Sequence, residues 1–236
     1  MYKRSFITSI VLILFIVATV SFAYADKYQW KLVDTENDCQ IYTSDVPGKD
    51  YIAAKASCVI PARIETISVV LREIEHYPEW MEDCKEAKIL KKVDDQNDVF
   101  IFWIRQHVPL FTDRDMVLKS KTVDDYKNGR NFIYAELTNE IPYDSGKGYV
   151  RMPSFNSVWT LEWVNREHTR VTFMVDPDIG TGIPKFSANA TIKTNPLKSL
   201  KRMMKMVKNP KYIEAAKTSK YNKFAEDALR AGYVKP

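Results

Sequence analysis

From residue 86 to residue 175 the chain reads as one strand-length segment after another, and nothing in that interval keeps a helical period. The segments are 86–92, 99–108, 116–123, 131–137, 148–152, 158–164 and 169–175. Asp94-Asp95-Gln96-Asn97 and Asp144-Ser145-Gly146 are turn signals among their connections. Ahead of this block, residues 30–45 read as two short strands and 51–60 as a third. Pro61 then opens a helix with Ile64, Ile67, Val70, Leu71 and Ile74 at helical spacing. His76-Tyr77-Pro78-Glu79-Trp80 breaks it. After the block, Asp178 to Gly182 is a loop and Pro184 suits a helix start. Asn195-Pro196 reads as a cap and first position of a second helical section, and a further helix is predicted over 212–231. The order predicts an α+β fold: one curved antiparallel sheet of about nine strands gripping a long C-terminal helix.

The first 25 residues are set aside from that fold. Lys3 and Arg4 precede an uncharged apolar run from Phe6 to Phe22, and Ala23-Tyr24-Ala25 supplies a small-x-small cleavage pattern. The expectation is a secretory signal cleaved after Ala25, giving an exported, periplasmic or secreted protein. An uncleaved anchor is the alternative, since about 17 apolar residues is the lower limit for spanning a bilayer. The remaining 211 residues (236 − 25) suffice for one domain with its own core. They divide into a domain over 26–209 and a C-terminal helical extension over 210–236. Seven glycines in the whole chain argue against glycine-rich nucleotide loops.

Export bears on the three cysteines, Cys39, Cys58 and Cys84. Pro47-Gly48-Lys49-Asp50 reads as a four-residue hairpin loop, which places Val46 opposite Tyr51. Paired positions then sum to 97, and so do 39 and 58. A Cys39–Cys58 disulfide is one reading. Three reduced, buried cysteines are the other.

Four stretches resemble the steroidogenic-acute-regulatory-related lipid transfer (START) family. They are residues 76–90 with Trp80, 109–117 with the Arg114-Asp115 pair, 148–163, and 180–200. The last carries a Gly-rich loop followed by Ile183, Pro184, Phe186 and Asn189. The resemblance covers residues 30–207. It implies a helix-grip fold, a tunnel between sheet and helix, and one bound lipid. Some members hold the ligand's polar head with a buried acid–Arg pair. The corresponding positions here are Ile101 and Ser120, so that pair is missing and the ligand is not specified.

The residues themselves suggest walls for such a tunnel. Met116, Leu118 and Ser120 alternate with Lys119 and Lys121, so the first set should point inward. The preceding strand offers two faces: Phe100, Phe102 and Ile104, or Ile101, Trp103, Arg105 and His107. If the second set faces inward, Arg105 and His107 become polar groups in an apolar tunnel; otherwise Arg105 is a structural ion-pair partner. Together with Arg114, Phe186 and Asn189, these are candidate ligand contacts. Leu197, Leu200 and Met204 add a helical stripe that also includes Val207.

Between Ile179 and Ile213 stand eight Lys or Arg residues and no acid. The formal charge of the whole chain is +5, or +3 without Lys3 and Arg4, so this segment carries +8 against −5 elsewhere. Lys198, Lys201, Arg202, Lys205 and Lys208 form a face suited to transient contact with an anionic membrane. A solvated charged face is the alternative. The three histidines, His76, His107 and His168, lack metal-ligand spacing. No nucleophile elbow or Walker loop occurs. No cofactor is expected, and a nucleic-acid partner is not supported. The predicted function is a non-catalytic, monomeric carrier of a lipid or similar hydrophobic molecule, with the C-terminal helix as a lid. A cyclase- or hydrolase-like enzyme on the same fold is the alternative, and its acid–base work would fall to Arg105, His107 and Tyr134.

Overall fold

The structure is a computed structural model describing residues 27–236. The proposed signal segment lies outside the described residues. Ten strands form one sheet: β1 (Lys31–Glu36), β2 (Cys39–Ser44), β3 (Ala53–Ile60), β4 (Cys84–Asp94), β5 (Val99–Gln106), β6 (Asp113–Asp125), β7 (Arg130–Leu137), β8 (Tyr149–Arg151), β9 (Ser154–Asn165) and β10 (His168–Asp178). Their order is β1-β2-β3-β10-β9-β7-β6-β5-β4, antiparallel throughout, with the short β8 added parallel to β6. The sheet is curved and open, with β1 and β4 at its edges. Both edges are charged; β4 alone carries Lys85, Lys88, Lys91 and Lys92, which discourages edge-to-edge pairing.

Five α-helices are described: α1 (Ile64–Arg72), α2 (Tyr77–Trp80), α3 (Lys185–Met206), α4 (Pro210–Lys217) and α5 (Lys220–Arg230). The 22-residue α3 crosses the sheet over β3 and β10. It does not break at Asn195-Pro196 as its sequence suggests. Asn195 turns its amide to Glu82 O instead of capping, and Pro196 is accommodated inside the continuous helix. The single helix expected over 212–231 is two, because Ser219 starts α5 by accepting from the Asn222 N–H. Both of these last helices belong to the main core, where Tyr212, Ala216, Tyr221, Ala225 and Ala228 are buried. The division at residue 210 is therefore one of sequence and not of packing.

Aromatic contacts hold the middle of this core. Trp80, fully buried, meets Tyr77 and Trp159 edge-on, and Trp159 stacks on Phe173 with ring centroids 3.8 Å apart. β2 and β3 pair with sums of 97, as in Gln40 with Ser57. Cys39 and Cys58 face each other in that register and are joined as a disulfide, while Cys84 is free and buried.

An apolar cavity beneath the long helix

The interior does not pack shut. Under the first half of α3 lies a cavity of about 280 Å³, near the small end of the roughly 300–1,000 Å³ usual for ligand pockets. Its walls come from several elements. β5 contributes Phe102 and Ile104; β6 contributes Met116, Leu118 and Ser120; β7 contributes Ile133 and Ala135. Trp159 and Phe173 line it from β9 and β10. The helix closes it with Ser187, Ala188, Thr191, Ile192 and Asn195, one face at spacings of three and four. The β5–β6 loop, His107 to Phe111, forms a rim.

Alternation decides which residues reach this space. Met116, Leu118 and Ser120 do, and Arg114, two residues earlier on the same face, does as well. On β5 the inward set is Phe100, Phe102 and Ile104. Ile101, Trp103 and Val117 form a second, outer apolar cluster covered by Ile141 and Tyr143. β5 is thus apolar on both faces, which is why its sequence could not be oriented. Trp103 is accordingly corrected from cavity wall to outer-face residue; its Nε1 donates to Asp115 at 2.9 Å. Arg105 is corrected too. It is ion-paired to Glu86 at 2.7 Å and to Asp113 at 2.8 Å, away from the cavity. Ile101 faces the outer cluster, and the residue opposite Ser120 is Phe100.

Five helix candidates also lie elsewhere. Phe186 is 78% exposed and does not line the cavity. Asn189 accepts the Ile52 N–H at 3.2 Å and ties α3 to the approach to β3. Leu197 and Leu200 fill the solid core below the cavity. The stripe there continues through Met203, fully buried, while Met204 is only partly buried against the same core. Spacings of three and four both fit the run, and the expected stripe position, Met204, falls one residue beyond the buried one.

The polar groups of the cavity are few. His107 sits on the rim with Nδ1 2.9 Å from Asp113. Arg114 is 2% exposed and bonds only backbone carbonyls: Ile179 O at 2.9 Å, Thr181 O at 2.7 Å, and Thr112 O. It thereby clasps the Gly-rich loop that leads into α3. Burial draws its pKa below the ordinary arginine value. Glu82 is bridged by Lys198 at 3.3 Å and Arg202 at 2.6 Å. His107 and Tyr134 do not form an acid–base pair. Their strand partners on β6, near Arg114 and at Lys121, are seven residues apart, about 23 Å along a strand. Tyr134 is also 38% exposed. Among the described residues no cluster of three or more His, Cys, Asp or Glu could hold a metal ion.

The geometry has a counterpart among known proteins. The START domain model matches residues 17–213. The chain belongs to the START domain family. An uncharacterized protein of Pseudomonas aeruginosa is 28% identical over 176 residues, 73% of this chain and 83% of that protein. Among solved structures, a STAR-related lipid transfer protein fragment from Xanthomonas axonopodis superposes with a TM-score of 0.68 at 22% identity, covering 76% of this START chain and 99% of that one. Human STARD10 gives 0.70 at 17% identity, covering 91% and 86%. These likenesses establish the helix-grip fold. Membership of the START family supports a lipid or other hydrophobic molecule as the guest.

The basic face of α3 looks different once its surroundings are visible. Lys198 and Arg202 meet Glu82, and Lys201 meets Glu36 at 2.6 Å. Acids missing from the local sequence are supplied by other elements. Lys185, Lys193, Lys205 and Lys208 have no acidic partner among the described residues. No helix of the described residues is long and apolar enough to cross a membrane.

Proposed function

We propose that this START protein is an exported, non-catalytic carrier that holds one hydrophobic molecule in the cavity, with the first half of α3 and the His107–Phe111 rim as its door. The observation that carries this reading is the cavity itself, apolar on the sheet side and closed by a helix that is tied down there by few polar contacts. Burying roughly 400 Å² of guest surface at about 25 cal/mol per Å² supplies roughly 10 kcal/mol gross, before the costs of association. Binding of that size needs no chemical step.

Exchange with a membrane would take place at the door. Leu110 and Phe186, 98% and 78% exposed, flank it, and Lys185 and Lys193 lie on the same half of α3 without acidic partners. Exposed apolar side chains beside uncompensated cations suit an anionic lipid surface. Lys205 and Lys208, farther along the helix, add to the same attraction. Lys198, Lys201 and Arg202 contribute less, because acids already neutralise them.

Organic extraction of the purified protein followed by mass spectrometry tests the carrier reading. About one lipid per chain is expected, or its uptake by stripped protein from phosphatidylglycerol-containing vesicles. Neither a co-purified lipid nor uptake would refute it. Phe186→Asp should slow uptake from those vesicles several-fold without weakening affinity for a guest delivered in solution.

A further inference from the structure

We infer that the guest is an anionic amphiphile whose head group is received by Arg114 inside the cavity. This rests on the carrier reading and adds the chemical class of the cargo.

Among the described arginines, Arg63, Arg72, Arg105, Arg130, Arg151, Arg166, Arg202 and Arg230 each pair with a carboxylate. Arg170 is exposed. Arg114 alone is buried, at 2% exposure, with no acid beside it. A guanidinium has five N–H donors in a rigid fork. Three are taken by the carbonyls of Ile179, Thr112 and Thr181, which leaves two on a side chain that lines the cavity. Carbonyl dipoles solvate the cation without neutralising it, and a buried charge without its opposite is costly.

The other charged groups at the cavity do not supply the missing charge. Glu82 is committed to Lys198 and Arg202, and Asp113 to Arg105 and His107. The start of α3 adds potential of the same sign. Its first turn contains no acid and its N-cap, Pro184, has no side-chain bond, while Ser187 of that turn lines the cavity. Asp83 bonds Asn195 and Asp178 accepts the Gly180 N–H, and neither pairs with Arg114, which stays a buried cation without an ion-pair partner at the door end. From there Met116, Leu118 and Ser120 lead inward along the same face of β6. Six residues of strand span about 20 Å, a length that suits a long acyl chain with its charge at Arg114. A carboxylate or phosphate head would complete the guanidinium's fork.

Calorimetric titration of stripped, full-length protein with palmitate, 1-palmitoyl lysophosphatidate and hexadecanol decides the matter. Wild type should bind at least one of the two anions tenfold or more tighter than hexadecanol, a margin consistent with charge-assisted hydrogen bonds. Which anion binds tighter distinguishes a free fatty acid from a phosphate head group. Arg114→Gln should erase the preference while leaving hexadecanol affinity within about threefold, and Arg114→Lys should keep part of it. Tight binding of hexadecanol equal to both anions would overturn the inference and leave the carrier reading intact. Binding of none of the three would count against the carrier reading itself. Because Arg114 also clasps the loop before α3, circular dichroism must show Arg114→Gln folded; if it is not, the wild-type comparison decides alone.

Discussion

At the scale of single residues, the buried charges show how much a carboxylate's surroundings matter. Asp176, fully buried, receives Lys49 on one oxygen at 2.7 Å, and Lys27 at 2.7 Å with the Tyr28 hydroxyl at 2.8 Å on the other. Burial alone would raise its pKa, but these donors outweigh burial and hold it below the ordinary aspartate value. A carboxyl depressed in the folded state stabilises the protein above its unfolded pKa of about 3.9, and that stability is lost as pH falls toward the folded pKa. Asp176→Asn should thus cost about 3 kcal/mol at neutral pH. It should also flatten the acid side of the stability–pH curve below about pH 4, both read by urea titrations. The site shows a similar contrast in legibility. Met116, Leu118 and Ser120 could be placed because Lys119 and Lys121 mark the opposite face. Trp103 and Arg105 could not, because β5 is covered on both sides and its period carries no direction.

At the scale of elements, β2 and β3 are cross-linked and α3 is only tethered at its first half. The Cys39–Cys58 bridge joins residues 19 apart. On loop-entropy grounds its loss removes about 3 kcal/mol. Cys39→Ser with Cys58→Ser should therefore lower the urea midpoint, with little further change on adding reductant. For α3, the Asn189 side chain bonded to the Ile52 N–H is one such tether. Asn189→Ala should speed guest exchange between vesicles several-fold, measured by fluorescence dequenching, while equilibrium occupancy changes little. The strands and their order along the chain were legible because turns and alternation are local signals. The hairpin register between Cys39 and Cys58 was also accessible, from the four-residue loop alone. The continuity of α3 was not, since Asn195-Pro196 has the local form of a boundary. Only the tertiary bond to Glu82 O redirects the asparagine. The division of the last helix at Ser219 was missed for the opposite reason: a lone serine in a polar stretch is a weak local signal.

At the scale of the whole molecule, a cavity under one half of a helix and a solid core under the other make stability depend on occupancy. A guest at a hundred times its Kd adds about 2.7 kcal/mol. For a domain of this size that is roughly 5–10 °C in Tm. Stripping the protein should lower its melting temperature by that amount, and refilling should restore it, as followed by scanning calorimetry. Behind the cavity the space narrows to a small gap beside α5. Tyr221 of α5 bonds Asp98 there, and Arg72 and Asn131 crowd the small gap behind Ser120 and Ile133. On the carrier reading, a guest that enters at the rim meets this narrow gap at the far end, so whichever end goes in first comes out last.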